Sequence, residues 1–154
     1  MYDRILVPTD GNDGAESALE QAIDLARQYD AALHAIYAID TPAFSSEFDV
    51  GVVYDAFEEL GRKAVGEIAQ QANAAGIDTV ETAVLTGSPH RAILSYADEN
   101  DIDLIVMGTH GRRGLDRYLL GSVTERVVRL ADVPVLTVRT TGDSSGASTR
   151  VSDA

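Results

Sequence analysis

The chain reads as one open, doubly wound α/β domain, a parallel sheet covered by helices on both faces. Three observations carry that reading. Short apolar runs alternate with segments of helical period in the order β-α-β-α-β-α-β-α-β. The run Leu104 to Met107 (LIVM) is continuously apolar, as a strand buried on both faces must be. A length of 154 residues, 45% apolar and 24% charged, suits one domain with a single core. Parallel strands linked by helices imply right-handed crossovers. Alternation alone leaves the strand order open.

The first strand is Arg4 to Pro8 (RILVP), stopped by the turn formers Thr9-Asp10-Gly11-Asn12. Asp13 with Glu16 has the pattern of a capping box, and Ala15, Ala18, Leu19, Ala22, Ile23, Ala26 and Tyr29 then keep helical spacing. Ala32 to Ile39 is the second strand. Residues 40–54, with Pro42, Phe44 and Phe48, have no period and are expected to form a long loop, a type of segment often used as a lid. Asp55 with Glu58 marks a helix start, and Phe57, Leu60, Ala64, Ile68, Ala72 and Ala75 form its stripe up to Gly76.

Val80 to Leu85 alternates as a half-buried strand near a sheet edge does. Ser88 stands as N-cap before Pro89, and that helix is expected to run to about Asn100. After the LIVM strand comes a glycine-punctuated loop, a helix from Ser122 to about Ala131, and a last strand, Pro134 to Val138. Residues 140–154 (TTGDSSGASTRVSDA) have the composition of a disordered polar tail beyond a domain spanning 1–139.

Composition narrows the function classes. The chain has no cysteine, which removes disulfides, thiolate metal sites and cysteine nucleophiles. No apolar run reaches the roughly 18 residues of a membrane span, and Met1 opens directly into a strand pattern. Neither signal peptide nor membrane contact is expected, and the expected compartment is the cytoplasm. A net charge of −13 argues against nucleic acid as a partner. Lys63 is the only lysine beside eleven arginines, and sixteen aspartates outnumber nine glutamates. Such a surface stays hydrated in strong salt, so the composition points to a halophile, a salt-adapted source, with an ordinary acidic mesophilic protein as the alternative.

The charge is also uneven. Between 108 and 130, five arginines (112, 113, 117, 126, 129) meet only Asp116 and Glu125, a net +3, which leaves −16 on the remainder. That stretch contains Gly108-Thr109-His110-Gly111, then Gly114, then Gly121-Ser122 at the start of a helix. Glycines let backbone amides approach a ligand closely, and a helix start presents free N–H groups. With Arg112 and Arg113 in the intervening loop, the stretch has the parts of a phosphate cradle. Taken singly, each part has a plainer reading. Ser122 with Glu125 is a good capping box, and Gly108 and Gly111 could merely turn the chain. Their joint spacing after a buried strand favours the cradle.

Asp10, beyond the first strand, suits a ribose hydroxyl, a metal or a simple turn. His34 in a strand and His90 near a helix start have no evident catalytic partner.

PTDGN after the first strand, LIVMGTHGRRG, and LLGSVTERVV followed by VPVLTV together resemble the universal stress protein family over residues 1–139. The spacing G-x2-G-x9-G-S/T at Gly108, Gly111, Gly121 and Ser122 is that of the family's ATP-binding branch. The resemblance implies an adenine nucleotide alpha hydrolase-like sheet of five strands ordered 3-2-1-4-5, which sets the first and fourth strands side by side at a switch point. It implies that Pro8, Thr9 and Asp10 border the adenosine and that Ala38 packs near the adenine. Met107, Gly108, Thr109, His110, Gly111, Arg112, Arg113, Gly114, Gly121, Ser122 and Val123 would complete the site around ribose and phosphates. ATP is the implied ligand, with Mg2+ or Mn2+ held mainly by its phosphates, and AMP or a cyclic form is the alternative. At a sheet edge in that order, Pro134 to Val138 would join a homodimer.

Other classes fit less well. There is no G-x4-G-K-S/T loop and no evident base to orient water, so hydrolysis would at most be slow. A receiver domain needs a phosphoacceptor after the third strand, where Leu85-Thr86-Gly87 stands instead. A dinucleotide oxidoreductase needs G-x-G-x-x-G after the first strand. The expected role is a dimeric stress-response sensor, and the alternative is a non-catalytic interaction module that binds AMP or a cyclic adenine nucleotide, or a slow ATPase.

Self-repulsion at −13 is relieved by salt. The melting temperature should therefore rise from dilute buffer to molar KCl, and a salt-independent melting curve would remove the salt-adaptation reading.

Overall fold

Residues 1–9, 13–39, 50–109 and 121–139 are described by the computed structural model. They form β1 (Arg4–Thr9), α1 (Asp13–Tyr29), β2 (Ala32–Ile39), α2 (Val50–Ala74), β3 (Val80–Thr86), α3 (Pro89–Glu99), β4 (Leu104–Gly108), α4 (Ser122–Leu130) and β5 (Val135–Val138). The strands make one sheet in the order β3-β2-β1-β4-β5, and every pair is parallel. Register is continuous across it: Ile5 lies beside Leu33 on one side and Leu104 on the other, and Ile105 beside Val135.

Side chains of a strand alternate between faces, so the central strands feed two cores. On one face Ile5, Val7, Leu33, Ala35 and Val106 pack with Ala18, Leu19 and Ala22 of α1 and Val65, Ile68 and Ala72 of α2. On the other, Leu6, Ile36, Ile105 and Met107 pack with Ile93 and Ala97 of α3 and Val127 of α4. Ile5, Leu6 and Val7 of β1 are completely buried, which explains why RILVP is so apolar.

Three helices end the same way. Ala31 N–H donates to the Ala26 carbonyl, Ile77 N–H to Ala72, and Ile102 N–H to Ala97, each at 2.9–3.1 Å. The residue before each donor is left-handed: Asp30 (φ 55°), Gly76 (φ 97°) and Asp101 (φ 52°). These are Schellman endings, and the apolar pair that closes each one (Ala26 with Ala31, Ala72 with Ile77, Ala97 with Ile102) is buried. Each helix thereby delivers the chain into the next strand on the core side.

Two helix starts differ from expectation. α2 begins at Val50, so the final residues of the expected 40–54 loop are helical. Asp55 and Glu58 are therefore interior to the helix, and Glu58 pairs with Arg62 one turn on at 3.3 Å instead of capping. In α4 the N-cap is Gly121, with extended backbone, and no side chain caps the helix. Ser122 is already its first residue, and Glu125 reaches forward to Arg129 at 3.2 Å. Ser88 is the N-cap of α3 as expected, but its hydroxyl lies 3.2 Å from His90 Nδ1 and bonds no helix amide.

Gly61 lets α2 lie close to the sheet: a Cβ there would meet Tyr37 Cδ1 at 2.8 Å and Val84 Cγ1 at 3.1 Å. Gly66, in the same helix, has nothing within 4 Å of such a Cβ. The same substitution should thus act with opposite sign at the two positions. Gly61→Ala should lower stability by about 1–2 kcal/mol through overpacking. Gly66→Ala should raise it by roughly 0.5–1 kcal/mol through helix propensity. Urea denaturation of both variants is the measurement, and equal effects would contradict the packing described for Gly61.

Candidate functional site

Because all five strands are parallel, their carboxyl ends share one edge of the sheet. Chain leaves β1 for α1 and β4 for α4 on opposite faces, so a crevice opens between the two strand ends. Strand alternation puts Pro8 of β1, Ala38 of β2 and Met107 of β4 on the face of α3 and α4, with Leu6, Ile36 and Ile105. Pro8 and Ala38 are half-buried, Met107 is buried, and Val123 of α4 packs against the same core. These apolar residues form one wall near the strand ends.

Around the end of β4, three bonds fix the polar part. Thr109 N–H donates to the Val138 carbonyl at 2.9 Å, so β4 stays paired with β5 to its last residue. Gly121 N–H donates to the Thr109 carbonyl at 2.6 Å, which brings the start of α4 directly beside the end of β4. Thr124 Oγ1 donates to the Gly108 carbonyl at 2.9 Å from the first turn of that helix. The Glu125 N–H closes the first helical bond onto Gly121. Helix geometry then leaves the N–H groups of Ser122, Val123 and Thr124 without intrahelical acceptors, and among the described residues no side chain caps them. An exposed Ser122 beside half-buried Gly121 leaves that start open to solvent. Free donors and a positive dipole end suit an anion.

Of the residues singled out in the sequence, Pro8, Thr9, Ala38, Met107, Gly108, Thr109, Gly121, Ser122 and Val123 thus fall along this one edge. Asp10, His110, Gly111, Arg112, Arg113 and Gly114 lie outside the described residues. Thr124 was not foreseen; its only signal is a β-branched hydroxyl residue in the first turn of a helix, a position that usually faces solvent or caps.

Two histidines that lacked evident partners have them. His34, 6% exposed on β2, accepts or donates at 2.8 Å between Nδ1 and Tyr96 Oη of α3. Burial pushes its pKa below the usual 6.5, with Glu81 opposing and Arg4 adding to the shift. Burial, and then Glu81, raise the Tyr96 phenol. Tyr96 also lines an open groove of about 530 Å3 at the β3 edge, together with Tyr54, Thr86, Ser88, Arg91, Ser95 and Glu99. That groove lies across the sheet from the β1/β4 crevice.

The sheet order defines an open α/β domain of the adenine nucleotide alpha hydrolase-like type, with its switch point between β1 and β4. Residues 1–139 match the model of the universal stress protein family, and the chain belongs to that family. A universal stress protein of Methanocaldococcus jannaschii is 38% identical over 142 residues, spanning 90% of this chain and 83% of the relative. Universal stress protein UspA from Lactobacillus plantarum superimposes with a TM-score of 0.82 at 31% identity, covering 90% of this chain and 98% of that one. A universal stress protein solved in complex with cAMP has a TM-score of 0.67 at 29% identity, with 90% and 98% covered.

Proposed function

We propose that the β1/β4 crevice binds ATP, with any Mg2+ or Mn2+ held mainly by the phosphates, and that the protein acts as a cytoplasmic dimeric sensor. The observation that carries the ligand reading is the uncapped start of α4, held beside the end of β4 by Gly121 and Thr124. It supplies backbone donors at the point where the sequence places its one cationic stretch, a net +3 between 108 and 130. In this reading Pro8, Thr9 and Asp10 border the adenosine, Ala38 packs near the adenine, and Met107 completes the wall of the site. Gly108, Thr109, His110, Gly111 and Gly114, with Gly121, Ser122 and Val123, surround the ribose and phosphates. Arg112 and Arg113 supply charge. AMP or a cyclic nucleotide is the second reading, and the cAMP complex of a relative favours it.

A side chain at Gly121 would stand at the helix start between Thr109 and the phosphates. Gly121→Val should therefore weaken ATP at least tenfold in calorimetry while the empty protein still folds. Unchanged affinity would defeat the cradle assignment. Mass spectrometry of nucleotide carried through gentle purification separates ATP from AMP and cyclic forms.

The dimer reading rests on the outer edge of β5. Among the described residues no strand pairs beyond it, Leu136 is 37% exposed, and Val128 and Leu130 of the neighbouring helix are exposed as well. An apolar edge with unpaired backbone groups invites pairing, and antiparallel contact with the same strand of a second copy closes it by two-fold symmetry. Leu136→Asp should give monomers by light scattering with nucleotide binding retained. A monomeric parent at micromolar concentration would overturn the dimer.

A further inference from the structure

His34 sits in the sheet face that α3 covers, and charged groups approach it from each flank. Arg4 stands on β1, Glu81 lies directly beside it in register on β3, and Tyr96 reaches down from α3. The His34 and Tyr96 rings meet nearly edge to face, with centroids 5.6 Å apart at 69°. Arg4 and Glu81 are exposed, so water weakens their influence on the ring. Tyr96 itself is anchored within its helix, since Asn100 N–H and the Asn100 side-chain amide both donate to its carbonyl at 3.0 Å.

α3 buries Ile93 and Ala97 and leaves Leu94 and Tyr96 half-buried against the same core, whereas α1 buries Ala18, Leu19, Ala22 and Ala26. A helix with few buried apolar contacts is drawn from the low-stability end of a fold. One side of it is further bared by the groove that Tyr96 helps to line. The part-buried polar contact between His34 and Tyr96 adds to this modest apolar docking.

We propose that the His34–Tyr96 pair is a proton-operated latch, which holds α3 on the sheet while His34 is neutral and releases it when His34 gains a proton. The latch assigns the closed state the Nε2–H tautomer, in which the neutral ring accepts the Tyr96 O–H at Nδ1. A proton on Nδ1 makes that nitrogen a donor. The hydroxyl must then turn its own hydrogen toward the groove, and the charged ring stays in an apolar layer among Leu6, Ile36 and Ile93. Hydration of the ring is regained only if α3 moves outward. Histidine is the side chain whose ordinary titration lies nearest neutral pH, and burial moves that of His34 to the acid side.

The direction with pH follows from burial. The folded protein keeps His34 neutral to lower pH than the unfolded chain does. Its contribution is whole above about pH 6.5, is lost as pH falls from there to the folded value, and changes no further below.

The test compares the full chain with His34→Gln, which keeps a polar group that cannot titrate, and Tyr96→Phe, which keeps the ring and removes the hydroxyl. Unfolding by urea is followed from pH 8 to pH 5, with amide exchange of α3 and the NMR titration of His34 alongside. In the parent, the unfolding equilibrium should rise below pH 6.5 with a His34 component of up to about tenfold per pH unit, the limit for one proton. Amides of α3 should exchange faster before those of α1 do. His34→Gln should lack that component, and in Tyr96→Phe the α3 amides should already exchange faster at pH 8, because the contact that latches the helix is gone. The Tyr96→Phe exchange decides the matter even if His34→Gln fails to fold. A His34 that titrates with no change in α3 exchange, parent-like α3 exchange at pH 8 in Tyr96→Phe, or an unchanged slope in His34→Gln would each overturn the latch.

Discussion

One carboxylate oxygen of Asp103 receives the backbone N–H groups of both Asp3 and Arg4, at 2.7 and 2.9 Å, while the Asp103 amide donates to the Arg4 carbonyl. The segment entering β4 is thereby fastened to the segment entering β1, about a hundred residues earlier in the chain. This junction sets the whole sheet. With β4 held on one side of β1 and β2 on the other, the chain must reverse its direction of growth across the sheet at β1. α1 and α2 then occupy one face and α3 and α4 the other. The crevice between β1 and β4 is the geometric result of that reversal. It exists before any particular side chain is placed in it.

Much of this architecture was legible because its cause is local. Leu104 to Met107 is apolar at every position because both neighbours and both faces cover it. Val80 to Leu85 is only half-buried at best, without strict alternation, because among the described residues β3 pairs with β2 alone. Gly76 announced the end of α2, since its left-handed backbone is easiest for glycine. The same ending at Asp30 and Asp101 was hidden, because aspartate is equally at home in caps and turns. The start of α2 was misplaced for a similar reason. Asp55 and Glu58 have capping spacing, yet the same three-residue spacing occurs inside any helix, and only tertiary structure tells the two apart. Strand order was not readable from alternation and came through the family resemblance.

The candidate site divides along the same line. Glycine spacing pointed to Gly108 and Gly121, whose approach follows from a strand ending and a helix beginning at a common edge. What holds them there is the Gly121 to Thr109 bond and the hydroxyl of Thr124 on the Gly108 carbonyl. Both are contacts between segments, and no local pattern encodes them. His34 is the clearer case. Its partner lies 62 residues away on another element, so a histidine that looked inert in the strand pattern is one half of a buried polar pair.

The bond between Gly121 and Thr109 also shapes how this region can change over generations. Eleven residues separate Thr109 from Gly121 in the sequence, and one 2.6 Å contact holds the two together. The entropy of closing a chain between two fixed points grows only with the logarithm of its length, so doubling it costs about 0.6 kcal/mol. A change of length between these two anchors therefore costs their pairing little. What a lineage has to keep is the pair of anchors, and the spacing between them is the cheaper quantity to vary.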